Sequence, residues 1–272
     1  MKSETFPAKG PVLPDMRSLA ALSVVGLVLA GCGLSPVPAP LPAVADAGPV
    51  RLAGMTLGTG KIGREVRKVG PFTAIKIQGA IEAEVQVGAP FAVSAEAESN
   101  FLSSVETVVE NDTLVVRWKD DSPTGSRKPT RVYVALPKLQ TLSASSAATT
   151  TIKGNISQSF GVDASGASQI RLVDTVANLT AKASGASMIE AHRLTGQSLR
   201  LELSGASQAS IGGNVSSVNL KVSGASQIQT VRLTAGTADL KASGASTIEG
   251  TMNAGKVTQS STGASSINVD VR

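Results

Sequence analysis

Over its last third the chain alternates apolar and polar residues. One short stretch interrupts the alternation at fixed intervals, as ASGASQI, ASGASMI, LSGASQA, VSGASQI, ASGASTI and STGASSI. The glycines of these stretches are Gly166, Gly185, Gly205, Gly224, Gly244 and Gly263, each 19 or 20 residues from the next. Two residues before them stand Ala164, Ala183, Leu203, Val222, Ala242 and Ser261. Four residues after them stand Ile170, Ile189, Ala209, Ile228, Ile248 and Ile267. Apolar side chains at every second position suit a strand with one buried face, and no helical period fits between the glycines. A strand-built repeat of ~19–20 residues predicts an all-β solenoid of about seven to nine coils, each of two or three short strands joined by tight corners.

The corner chemistry follows from the tetrapeptide. Glycine permits the positive φ that a sharp change of direction needs. The alanine after it (167, 186, 206, 225, 245, 264) is expected to point inward, where only a methyl fits. The flanking serines are expected to hydrogen-bond local backbone or the neighbouring coil. A hydroxyl array that binds sugar or ice is the other reading, although such arrays favour flat strand faces over bends. Three residues before the glycines, Asp163, Lys182, Glu202 and Lys221 alternate in sign. Stacked coils turn them into a charge ladder, each exposed pair contributing well under ~1 kcal/mol.

Residues 62–142 are strand-like but less regular. In ETVVENDTLVVRWK, Asn111-Asp112 separates two β-rich runs and reads as a hairpin turn. Ser146, in SASSAA, lies 20 residues before Gly166 and marks a degenerate corner; Gly79 marks an earlier one. Trp118 and Tyr133 are expected to cap the core near the N-terminal end of the solenoid. KIGREVRK (61–68) reads as a solvated first strand, with anionic lipid or peptidoglycan contact as the alternative.

Composition narrows the picture. The chain has 272 residues, 42% hydrophobic but only 3% aromatic, so its core must be a thin stack of Val, Leu, Ile and Ala. A single His and a single Cys exclude a His/Cys metal cage and an internal disulfide. The net charge of +5 is scattered, which favours solubility over a nucleic-acid groove. The cysteine has its own context: MRSLAALSVVGLVLAGCG has a cationic start, a short apolar run and small residues before Cys32. This resembles a bacterial lipobox, with Cys32 the lipidated residue and residues 1–31 the signal peptide. A plain secretory signal or a buried apolar helix is the alternative, and Met16 is the more natural start. Residues 32–60 carry Pro36 to Pro49 and read as a semi-rigid tether. The folded domain is expected over 61–272.

The package of VGPFTAIKIQGAIEAEVQVG, NDTLVVRW, TRVYVALPKLQTLSASSAA and the SGAS units resembles the head GIN domain family over roughly residues 65–270. That family takes its name from auto-transporter adhesins and has no established activity. The resemblance implies a right-handed parallel β-helix-like fold.

Catalytic candidates are thin. Glu190 and Glu249 share one row three coils apart, and Asp163 and Glu202 share another with Lys182 between them. Neither arrangement suits a paired acid and base, which must flank one bond. His192 reads as a surface residue, and Asp120-Asp121 falls short of a calcium site. The expectation is therefore a non-enzyme without catalytic, cofactor-binding or metal residues, held in the bacterial cell envelope by a lipid at Cys32. Its role is binding or scaffolding, adhesin-like, with an envelope glycan or protein as partner, no nucleic acid, and homo-oligomers through open end coils. The alternative is a polysaccharide-acting enzyme on a β-helix scaffold.

Overall fold

A computed structural model describes residues 51–52, 55–119 and 125–271. The signal segment, Cys32, most of the tether and Asp120-Asp121 lie outside the described residues.

The repeat region is a parallel β-solenoid. One wall stacks Thr141–Ser145, the second half of Ile156–Ala164 and then Val176–Ala183, and continues through residues 199–203, 218–222, 238–242 and 257–261. The second wall stacks Thr149–Lys153, Gln169–Leu172, residues 188–191, 208–211, 227–230 and 247–250, and Ser266–Val271. A narrower third wall runs through 194–196, 213–215, 233–235 and 252–254. From Met188 onward a single strand runs through all three walls, as in Met188–Leu203, and bends between the second and third at a register shift after Ala191. Each coil thus leaves the first wall by the glycine corner and returns by a bulged bend.

Alternation becomes columns. Leu114, Ile75, Leu142, Val162, Ala181, Leu201, Leu220 and Leu240 stack in register inside the first wall and are essentially inaccessible. Each large apolar side chain so buried contributes roughly 1.5–3 kcal/mol. In the last coil the same column ends in Gln259, and its neighbour column ends in Ser261 where Ala242 stood before. Both are exposed, so this wall finishes in polar residues, as the terminal unit of a stacked array requires.

The opposite end breaks the sequential order. Ala74–Gln78 lies between Thr113–Trp118 and Thr141–Ser145, and Ile81–Val87 lies between Thr130–Leu136 and Thr149–Lys153. The chain makes one coil, doubles back beneath it, then resumes above it. Antiparallel strands close this end: Val105–Glu110 pairs with Thr113–Trp118 through Asn111-Asp112, both at positive φ, as the hairpin reading requires. Ala92–Glu98 pairs with Thr130–Leu136, and Ile62–Arg67 lies outside it as an edge strand. Trp118 packs against the core, but Tyr133 does not cap it. The strand pleat turns Tyr133 outward, with the Arg64 guanidinium 4.8 Å above its ring.

At the corner the glycines have φ between +71° and +77°, and each from Gly185 onward lies against the glycine of the coil before. Ser146 occupies the same place at φ +66°, directly under Gly166. The inward alanine is corrected by the structure. Ala167, Ala186, Ala206, Ala225 and Ala245 are exposed, whereas Ser168, Ser187, Ser207, Ser226 and Ser246 are buried. Gly and Ala together form the outward tip, and their backbone pairs coil to coil, Ala206 N–H donating to Gly185 O at 2.7 Å. The chain turns inward only at the following serine. Its hydroxyl is tolerated there because it donates to nearby carbonyls, Ser207 Oγ to Ser204 O at 2.8 Å and Ser187 Oγ to Ser184 O at 2.7 Å.

Thermal melts distinguish these roles. Ser207→Ala is expected to cost about 1 kcal/mol, and Ala206→Ser to be close to neutral. Gly205→Ala should cost about 1–3 kcal/mol, because its Cβ would meet Gly185 O at 2.7 Å from a φ of +75°. A larger loss for Ala206→Ser than for Ser207→Ala would reverse the assigned orientation.

Candidate functional site

The outward residues of the first wall follow directly from the register. Asp163, Lys182, Glu202, Lys221, Lys241 and Ser260 are successive neighbours, one from each coil. Glu202 accepts a hydrogen bond from Arg200 at 2.7 Å and lies 3.7 Å from Lys221. The Arg200 guanidinium holds its carboxyl below the usual range against partial burial, and the charges of Lys221 and Lys182 add to this. Lys241 is paired instead within its own strand, with Asp239 at 2.9 Å.

Beside this row the wall bends into the glycine corner, and a furrow of about 770 Å³ follows the bend from coil to coil. Its other side is a column of hydroxyls: Ser165, Ser184, Ser204, Ser223, Ser243 and Thr262. Three of them donate to the carbonyl of the preceding coil, Ser204 to Ala183 O at 3.4 Å, Ser223 to Leu203 O at 3.2 Å and Ser243 to Val222 O at 3.4 Å. Each hydroxyl oxygen keeps its capacity to accept a hydrogen bond. A charged ladder and a hydroxyl ladder therefore share one concave strip across six coils.

The second wall carries the other carboxylate row. Glu190 and Glu249 are three coils apart, about 14 Å at the strand spacing. Glu190 is bound by Arg171 at 2.8 Å and Glu249 by the Gln227 amide. Asp163 and Glu202 stand two coils apart with Lys182 between. His192 is exposed, its Nε2 2.8 Å from Ser210 Oγ. Among the described residues no group of three or more His, Cys, Asp or Glu side chains could hold a metal ion.

One carboxylate escapes a reading by repeat register. Glu98 is 1% exposed and is the only buried charged side chain among the described residues. It accepts from the Gly60 N–H at 2.6 Å, the Arg127 N–H at 2.8 Å and the Ser126 hydroxyl at 2.9 Å. Burial alone would raise its pKa. The N–H groups of Arg127 and Gly60, with Ser126, outweigh that and hold it below the usual carboxylate range. Its oxygens are spent on pinning the segment around Gly60 and the one around Arg127 to the N-terminal end of the domain, so its role is structural. Only its outward place in AVSAEAE marks it in the sequence.

The family described as "Putative auto-transporter adhesin, head GIN domain" matches residues 71–270. The chain belongs to the head GIN domain family. Solved structures agree with this membership. A protein of Parabacteroides distasonis described as a "putative lipid binding protein" superposes with a TM-score of 0.63 at 16% identity, over 78% of this chain and 98% of its own. A "putative adhesin" from the same organism gives 0.58 at 17% identity, over 79% and 98%. A "putative adhesin" from Parabacteroides merdae gives 0.59 at 16%, over 79% and 99%. At these identities the likeness is one of fold. No curated protein matches the sequence. Within the head GIN fold of this chain, the furrow draws on residues of six successive coils.

Glu98 gives a pH test. Its folded-state pKa is depressed, so its stabilisation is present above the unfolded value and is lost as the pH falls through the folded one. Glu98→Gln should lower stability by about 1.5–3 kcal/mol at neutral pH. The gap to the natural protein should close under acid. A constant gap from pH 7 to pH 3 in urea titrations would mean that the carboxylate charge is not what holds the clasp.

Proposed function

We propose that this head GIN protein is a non-catalytic, adhesin-like binding protein of the bacterial cell envelope, carried on a lipid at Cys32. The observation that carries the reading is the furrow itself, one continuous strip assembled from equivalent residues of six coils. A surface that repeats at the strand spacing suits an extended, repeating partner better than a small substrate. The family description and the naming of two neighbours as adhesins point the same way. The carboxylates are held apart: Glu190, Glu202 and Glu249 each contact a cation or an amide, and Asp163 stands in register with Lys182.

Two measurements test the reading. The purified protein should sediment with bacterial envelope fractions that retain their surface polymers. Asp163→Ala, Glu190→Ala, Glu202→Ala and Glu249→Ala should abolish no turnover on envelope polysaccharides, because none is expected in the natural protein. Polysaccharide cleavage that disappears with any of these four would establish the enzyme instead. For the anchor, Cys32→Ser should lose labelling by tritiated palmitate and move from the membrane fraction to the soluble one. Retained label would refute the lipid at Cys32.

A further inference from the structure

We propose that the furrow binds an extended acidic polysaccharide along the solenoid axis, about one sugar per coil, with Lys221 and Lys241 holding its carboxylates. This rests on the envelope-binding reading and names the ligand class for it. The direction of the furrow sets the ligand's shape. It crosses coils instead of following a strand, so a molecule lying in it meets equivalent groups every ~4.8 Å. That step is close to the length of one pyranose residue in a stretched chain.

The charge pattern sets the ligand's sign. From Asp163 to Lys221 the ladder alternates and each charge faces its opposite in the next coil. The alternation then breaks, because Lys241 follows Lys221 in direct register. Like charges placed opposite one another are unfavourable. Lys221 reaches Glu202 only at 3.7 Å, and Lys241 turns back to Asp239. An ammonium group has three donors, and both side chains are about half exposed. Two neighbouring cations with unused donors in a concave strip form a place for a carboxylate.

The hydroxyl column sets the rest. Ser204, Ser223 and Ser243 have committed their protons to carbonyls, so towards the furrow they offer acceptors. Sugar hydroxyls are the complementary donors. Tyr133 and Trp118 lie outside the furrow, so recognition is by polar ladders without aromatic stacking. Affinity should accordingly fall as salt screens the lysines.

The test titrates the purified protein with polygalacturonate, with neutral dextran and with polyglutamate, at low and at high salt. Polygalacturonate should bind, dextran should not, and polyglutamate should bind at least tenfold more weakly. The double variant Lys221→Glu/Lys241→Glu should weaken polygalacturonate binding tenfold or more. Lys138→Glu/Lys256→Glu, the same charge change at exposed sites outside the furrow, should stay within twofold. Thermal melts of both variants should show a single cooperative transition well above the temperature of the titrations, with the furrow variant melting somewhat lower because it sets like charges in register. Equal losses in the two variants would reduce the effect to net charge, and polyglutamate binding as tight as polygalacturonate would make the partner a polypeptide; either overturns the proposal. If polygalacturonate fails while envelope fractions still bind, this ligand assignment falls and the envelope reading stands. If neither binds, both fall.

Discussion

The structure depends on how closely successive corners approach. A glycine at φ near +75° lets the backbone of one coil lie on the backbone of the next, with the Ala206 N–H donating to Gly185 O at 2.7 Å. A Cβ at that position would collide with the carbonyl below. Because the corner is backbone on backbone, it fixes where every coil begins. The strands on both sides then have no freedom to slip by one residue, a slip that would turn every core side chain to solvent.

Fixed register has two consequences. Inside, it aligns the columns that end in Leu240 and Ala242, so a core almost without aromatic residues is still filled layer by layer. Outside, it lines up residues that lie nearly twenty positions apart in the chain, which is how the charge ladder and the hydroxyl ladder arise. The furrow is thus a by-product of the corner: where the wall turns toward glycine it becomes concave, and each coil contributes one more pair of groups to it.

Stacks of this kind have two ends, and the protein treats them differently. At the N-terminal end, antiparallel strands and the Glu98 clasp cover the first coils, with charged residues such as Arg64 and Glu96 facing outward. At the other end one wall substitutes Gln259 and Ser261 for Leu240 and Ala242. The second wall keeps Ile267 and Val269, both half-buried.

Local pattern carried much of this. The glycine period, the strand alternation, the positive-φ turn at Asn111-Asp112 and the degenerate corner at Ser146 are all local properties, and each was legible in the sequence because the repeat copies one environment many times. The rows of Asp163 with Lys182 and Glu202, and of Glu190 with Glu249, were legible for the same reason, since register in a solenoid is sequence spacing. Three features needed the tertiary structure. Which of Ala and Ser turns inward depends on the pitch of the corner, since both are small and either fits the pattern. The doubling back of the N-terminal coils depends on long-range pairing between Ala74–Gln78 and Thr141–Ser145, which no periodicity records. The burial of Glu98 and the depth of the furrow arise from surfaces folding against one another, and a one-dimensional pattern contains no such contact.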